Sequence, residues 1–133
     1  MKKVQILLPV IFLLNSNVVM ADAVNDMFDE YKQQGVSSTS EQAGESLWKK
    51  EFKDKKTGQS RSCTNCHGSD LKKKGKHVRT NKSIEPMAPS VNKESLIKVK
   101  KIKKWFKRNC KWTLGRECSA QEQADILTYL KNQ

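Results

Sequence analysis

The sequence predicts an all-α fold in one small domain. Three observations carry this. Four stretches repeat apolar residues at helical spacing, helix start and stop signals stand at several of their ends, and no stretch alternates as a half-buried strand would. The chain has 133 residues, of which 36% are hydrophobic and 7% aromatic, little for a self-sufficient core. Chains of this kind draw stability from disulfides, metals or cofactors.

The first segment reads as an export signal. Met1-Lys2-Lys3 is a short positive start, Val4 to Met20 is mostly apolar, and Ala21-Asp22-Ala23 offers a small-residue cleavage site. Gln5, Pro9, Asn15, Ser16 and Asn17 interrupt the run, which makes it a poor spanning helix. The expectation is a cleaved signal over residues 1–23, with cleavage after Ala21 or Ala23, and delivery to an oxidising compartment such as a bacterial periplasm.

Residues 24–42 form an N-terminal helical extension and link, and residues 43–133 the domain proper. Val24, Met27, Phe28 and Tyr31 share a helical face over residues 22–34, and Gly35 stops that helix. A Ser/Thr-rich link follows. The second helix is predicted from Ala43 to Phe52, with Leu47, Trp48 and Phe52 as its apolar side. Lys53 to Ser62 reads as a polar loop and Ser69 to Asn92 as a basic one, in which Pro86 and Pro89 hold Met87 and Ala88 extended or turned. A third helix runs from about Ser95 to Arg108, with Leu96, Val99, Ile102, Trp105 and Phe106 on its apolar side and lysines opposite. The last starts at Ser119, where Glu122 completes a capping box, and Ala120, Ala124, Leu127 and Leu130 stripe one face.

Cys63-Thr64-Asn65-Cys66-His67 is the strongest chemical signal. Two thiols three residues apart can form thioethers with the two vinyl groups of one haem, and the adjacent His reaches the iron from the same side. A zinc site would need two more closely spaced ligands, but Cys110 and Cys118 stand too far apart, and a thioredoxin-like motif lacks its βαβ context. The reading is one covalent haem c, which would also give Trp48, Trp105, Phe106 and Leu127 an apolar body to pack against. Cys110 and Cys118 flank a short loop and, in an oxidising compartment, are expected to pair as a disulfide.

The sixth iron ligand decides the function, and the residues leave it open. Met87, on its Pro-braced loop about twenty residues past His67, fits an axial ligand or a packing residue. His77 sits among Lys74, Lys76 and Arg79 and reads as an exposed loop residue. Asn109 reads as a C-cap at a helix end, because a neutral amide oxygen is a weak iron ligand.

Charge is placed unevenly. Residues 49–116 hold 22 Lys and Arg against five acids, while the flanking segments 24–48 and 117–133 are acidic. Export removes nucleic acid as a partner. The basic segment is then a solvated face or a surface for an acidic protein or an anionic membrane.

Arg61-Ser62-Cys63-Thr64-Asn65-Cys66-His67-Gly68, Ile84-x-Pro86-x-Ala88-Pro89-Ser90, Lys104-Trp105-Phe106-Lys107-Arg108-Asn109-Cys110 and Gly115-Arg116-x-Cys118 together resemble the sphaeroides haem protein family of exported monohaem cytochromes c. The resemblance covers roughly Leu47 to Leu130. It implies a small class I cytochrome c-like fold around one haem. It implies that Asn109 is the distal ligand of ferric iron and that it leaves on reduction, opening a site for oxygen or nitric oxide. It pairs Cys110 with Cys118, makes Met87 a packing residue, and implies a dihaem cytochrome c and a membrane cytochrome b as electron partners. A gas-binding electron acceptor is thus expected rather than a dedicated enzyme, with a plain His/Met electron carrier as the alternative.

Overall fold

The structure, a computed structural model, describes the backbone from Val19 and the side chains from Ala23 to Gln133. The predicted signal segment lies almost wholly outside the described residues. The fold is mostly helical, with two minimal hairpins that the sequence reading omitted. Helix α1 spans Val19–Gln33 and α2 Glu41–Lys49; strands β1 (Phe52–Lys53) and β2 (Ser60–Arg61) form the first antiparallel hairpin. The single turn α3 (Thr64–His67) follows, then the second hairpin, β3 (Gly75–Lys76) with β4 (Ser83–Ile84), and the long helices α4 (Val99–Leu114) and α5 (Ala120–Lys131). Strands two residues long leave no alternation to detect.

Each helix boundary has a local cause. Gly35, at φ +92°, ends the α1 segment in the left-handed region that glycine enters freely. Ser40 caps α2 by accepting the Ala43 N–H. The predicted extension of α2 to Phe52 fails because Lys50 turns extended and Phe52 enters β1 opposite Arg61. Helix α4 begins at Val99 rather than Ser95 because Leu96 takes φ +58°, which no helix can include. It then passes Arg108 and Asn109 without a break and stops only where Gly115 turns left-handed, at φ +73°. Asn109 is therefore an interior helical residue, not a C-cap. The α5 capping box forms as predicted, with Ser119 accepting the Glu122 N–H and Glu122 returning to the Ser119 N–H.

Helix α5 is buried almost all round and divides the core in two. On one side Ala124 and Leu127 meet Ala23, Val24, Met27 and Tyr31 of α1, with Val36 and Ile102. On the other Ile126, Tyr129 and Leu130 meet Trp48, Leu71 and Ala88. Phe106 and Leu96 touch both clusters. Leu127 thus packs against α1 and not against a haem, contrary to the expectation. The extension α1 supplies much of one cluster, and Glu30 pairs with Lys103 of α4 at 2.5 Å.

Helices α2 and α5 cross at backbone contact. A Cβ on Gly44 would lie 2.0 Å from the Asp125 carbonyl oxygen, so this crossing requires glycine. The Asp125 carboxylate accepts the Ser40 N–H at 2.7 Å and the Gln121 amide at 2.9 Å, which ties the start of α2 to α5.

Candidate haem site

The haem-attachment motif is wound into one helical turn. Ser62, almost fully buried, donates its N–H to the Asn65 side-chain oxygen and shares a 2.7 Å hydroxyl contact with Thr64. The His67 N–H bonds the Cys63 carbonyl at 3.1 Å, and Gly68 ends the turn at φ +72°. Helical spacing sets Cys63, Cys66 and His67 on neighbouring positions of this turn. Both thiols are free and half-buried. Burial pushes the Cys63 thiol up to about 11, an effect that the Thr113 hydroxyl of α4 partly offsets. Burial also pushes His67 down to about 4, so its imidazole is neutral near pH 7, the form that ligates iron.

Three elements wall the turn. The Trp48 ring of α2 lies 5.3 Å from the His67 ring. The β3–β4 hairpin approaches so closely that a Cβ on Gly75 would fall 2.2 Å from the Cys66 carbonyl. Leu71, Met87, Leu96 and Phe106 join Cys63 around the second core cluster. Met87 is held in its loop by main-chain bonds from Met87 and Ala88 to the Leu71 carbonyl, and by the Ser95 hydroxyl on the Met87 carbonyl at 2.6 Å.

Asn109 is exposed on α4. It stands one helical turn before Thr113, so the two share a side of α4, and three residues before Trp112, whose carbonyl accepts from Arg61 just before the motif. Trp105, 43% exposed with Lys104 and Arg108 over its ring, stands one turn earlier again. The Cys110–Cys118 disulfide is formed as expected, Cα atoms 5.5 Å apart, but it joins the interior of α4 to the residue before the α5 cap, not two helix ends. His77 is half-buried and committed to its turn: its Nδ1 accepts the Arg79 and Thr80 N–H groups at 3.3 and 3.2 Å.

Among the described residues no group of three or more His, Cys, Asp and Glu side chains is placed to hold a bare metal ion. The donor set fits haem instead: two free thiols and a neutral imidazole on one turn, facing half-buried apolar side chains. Trp48 Nε1 is, among the described residues, the one buried side-chain nitrogen or oxygen without a hydrogen-bond partner, and its ring lies tilted at 46° beside that of His67. An unpaired donor on the wall suits a site completed by a group the chain does not itself provide. Sequence reasoning missed Thr113, which carries no signal of its own, though it follows Asn109 by four residues.

The family described as a domain of unknown function, DUF1924, matches residues 34–130. The chain belongs to that family. It is 42% identical over 72 residues to the cytochrome c-type protein SHP of Cereibacter sphaeroides, covering 54% of this chain and 55% of that protein, about half its length. Cytochrome c'' of Methylophilus methylotrophus is 27% identical over 136 residues, covering 96% of this chain and 94% of its own. The solved structure of oxidized SHP, described as an oxygen-binding cytochrome c, matches with TM-score 0.73 and 31% identity over 83% of this chain and 96% of that one. Oxidized cytochrome c'' matches with TM-score 0.72 and 27% identity over 81% and 92%. The chain is a small c-type cytochrome related to both, with the mostly helical fold they share.

Proposed function

We propose that this chain is an exported monohaem cytochrome that accepts electrons and binds a diatomic gas, oxygen or nitric oxide, at a site Asn109 vacates on reduction. Cys63 and Cys66 would hold haem c covalently and His67 would ligate its iron; the group supplies a one-electron couple and a sixth coordination position. The observation that supports the reading is the register of α4. Asn109 stands three residues before Trp112, whose carbonyl accepts from Arg61, itself two residues before Cys63, at 3.0 Å. An amide oxygen is a hard donor, better matched to ferric than ferrous iron, so the side chain lets go when the charge at the metal falls.

Met87 supports a second reading, a His/Met electron carrier, because it too packs in the cluster that contains Cys63. The test compares Asn109→Ala with Met87→Leu in the haem-loaded protein. Loss of the true ligand changes the ferric absorption spectrum and opens the iron to added azide. The proposal expects both changes for Asn109→Ala and neither for Met87→Leu; the reverse pattern assigns the carrier function.

The acidic electron donor, of which a dihaem cytochrome c and a membrane cytochrome b are the forms proposed, would dock on the basic surface. Exposed Lys100, Lys101, Lys104, Lys107 and Arg108 of α4, with Lys72, Lys73, Lys74 and Lys76 before and on the β3–β4 hairpin, surround the motif's neighbours. Among the described residues no helix is long and apolar enough to cross a membrane.

A further inference from the structure

Arg61 occupies an unusual position for a cation in a chain whose lysines are mostly in water. It stands two residues before Cys63, its side chain only 19% exposed, and its Nη1 lies 2.7 Å from Asp54 Oδ2, itself 18% exposed. The same nitrogen donates to the Trp112 carbonyl at 3.0 Å, and the guanidinium lies over the Trp112 ring at 5.0 Å. Asp54 is fixed in turn: its other oxygen accepts the Lys56 and Thr57 N–H groups and the Thr57 hydroxyl at 3.1, 2.8 and 2.9 Å. The first hairpin is thereby clamped onto the last turns of α4.

Those turns also carry Asn109. Trp112 follows it by three residues, with its carbonyl bonded to Arg61, and Cys110 by one with its disulfide. Backbone movement just after Asn109 is thus restrained at two points, one of which leads back to the haem-attachment segment. The geometry points to Arg61 as a positioning residue that, through Trp112 and braced by Asp54, sets how firmly Asn109 is held against the haem site. This rests on the reading of Asn109 as distal ligand. With the helix restrained, the amide leaves by rotating its own side chain, and the strength of the clamp sets the balance between the closed and open ferric site. A planar guanidinium can pair, donate and stack at once; a lysine ammonium cannot.

The test is a titration of the ferric, haem-loaded protein with azide, which competes with the amide for the iron. The set is wild type, Arg61→Lys, Asp54→Asn, Asn109→Ala and the double variant of Arg61→Lys with Asn109→Ala. Asn109→Ala binds azide more tightly than wild type. Arg61→Lys and Asp54→Asn each tighten it by about twofold or more, the lower end of coupling between contacting residues. The double variant binds no tighter than Asn109→Ala alone. If Asn109→Ala tightens azide while Arg61→Lys and Asp54→Asn leave it unchanged or weaker, the clamp is only structural and the inference falls. If Asn109→Ala itself changes nothing, the ligand assignment fails and the clamp's role with it. A lowered melting temperature in Arg61→Lys with wild-type azide affinity also counts against the inference.

Discussion

One carboxylate, Glu122, holds two ends of the disulfide-closed corner. Its oxygens receive both guanidinium nitrogens of Arg116 at 2.7 Å, and it also accepts the Ser119 N–H at 2.8 Å. The Arg116 hydrogen bond, outweighing partial burial, holds the carboxyl below its usual value of 4.5. A carboxyl with a depressed folded pKa stabilises the fold above its unfolded value, and that contribution is lost as pH falls through about 4.5 and below. Unfolding midpoints measured from pH 7 to pH 3 should fall less steeply in Glu122→Gln than in wild type, the two curves converging at acid pH. Parallel curves would remove Glu122 from the acid response. The attachment motif Cys63, Cys66 and His67 and the capping role of Glu122 were legible in the sequence because each pattern spans no more than five consecutive residues. The role proposed for Asn109 was not, because chemistry alone reads an Asn beside a helix end as a cap. The resemblance supplied it.

Among the elements, the α2–α5 crossing decides where the motif sits, since it places Trp48 against His67 and Tyr129, ring centroids 5.3 and 6.3 Å away. Gly44 is the point of closest approach, and the atom a new methyl would meet is backbone, which cannot rotate away. Gly44→Ala should therefore cost roughly 1–3 kcal/mol in a denaturant titration, the usual range for overpacking. A loss within experimental error would show that the helices part without penalty. While α5 is buried well beyond the one stripe the sequence showed, the four helices other than the single turn α3, and the apolar face of α1, followed from periodicity. The boundaries of α2 and α4 did not: Phe52 has an apolar side chain that fits a helix face equally well, and the left-handed turn at Leu96 leaves no trace in residue type. The hairpins escaped for their brevity, and the weight of α1 in the core escaped because its partners lie on α4 and α5, far along the chain.

For the whole molecule, the distribution of charge matters more than its total of +12. The acidic segments supply Glu30, which pairs with Lys103, and Glu117, which pairs with Lys111 at 3.1 Å. These exposed pairs add little stability. The remaining lysines of α4 and of the second hairpin project from elements that abut the haem-attachment turn, so attraction to an acidic donor would aim it at the site. Steering of this kind raises association rates by about 10- to 1,000-fold and fades with ionic strength. Reduction by an acidic dihaem cytochrome should slow by about tenfold or more between low and high salt; a flat dependence would make the basic face merely solvated.

The central claim is that reduction opens the site beside Asn109. It is tested most directly by the optical spectrum of the haem-loaded protein, first ferric, then reduced without air, then exposed to carbon monoxide or nitric oxide. The account predicts a broad, high-spin reduced band that shifts when either gas is added. A sharp low-spin band indifferent to both gases would contradict it, leaving a strong ligand such as Met87 in place and an electron carrier in its stead.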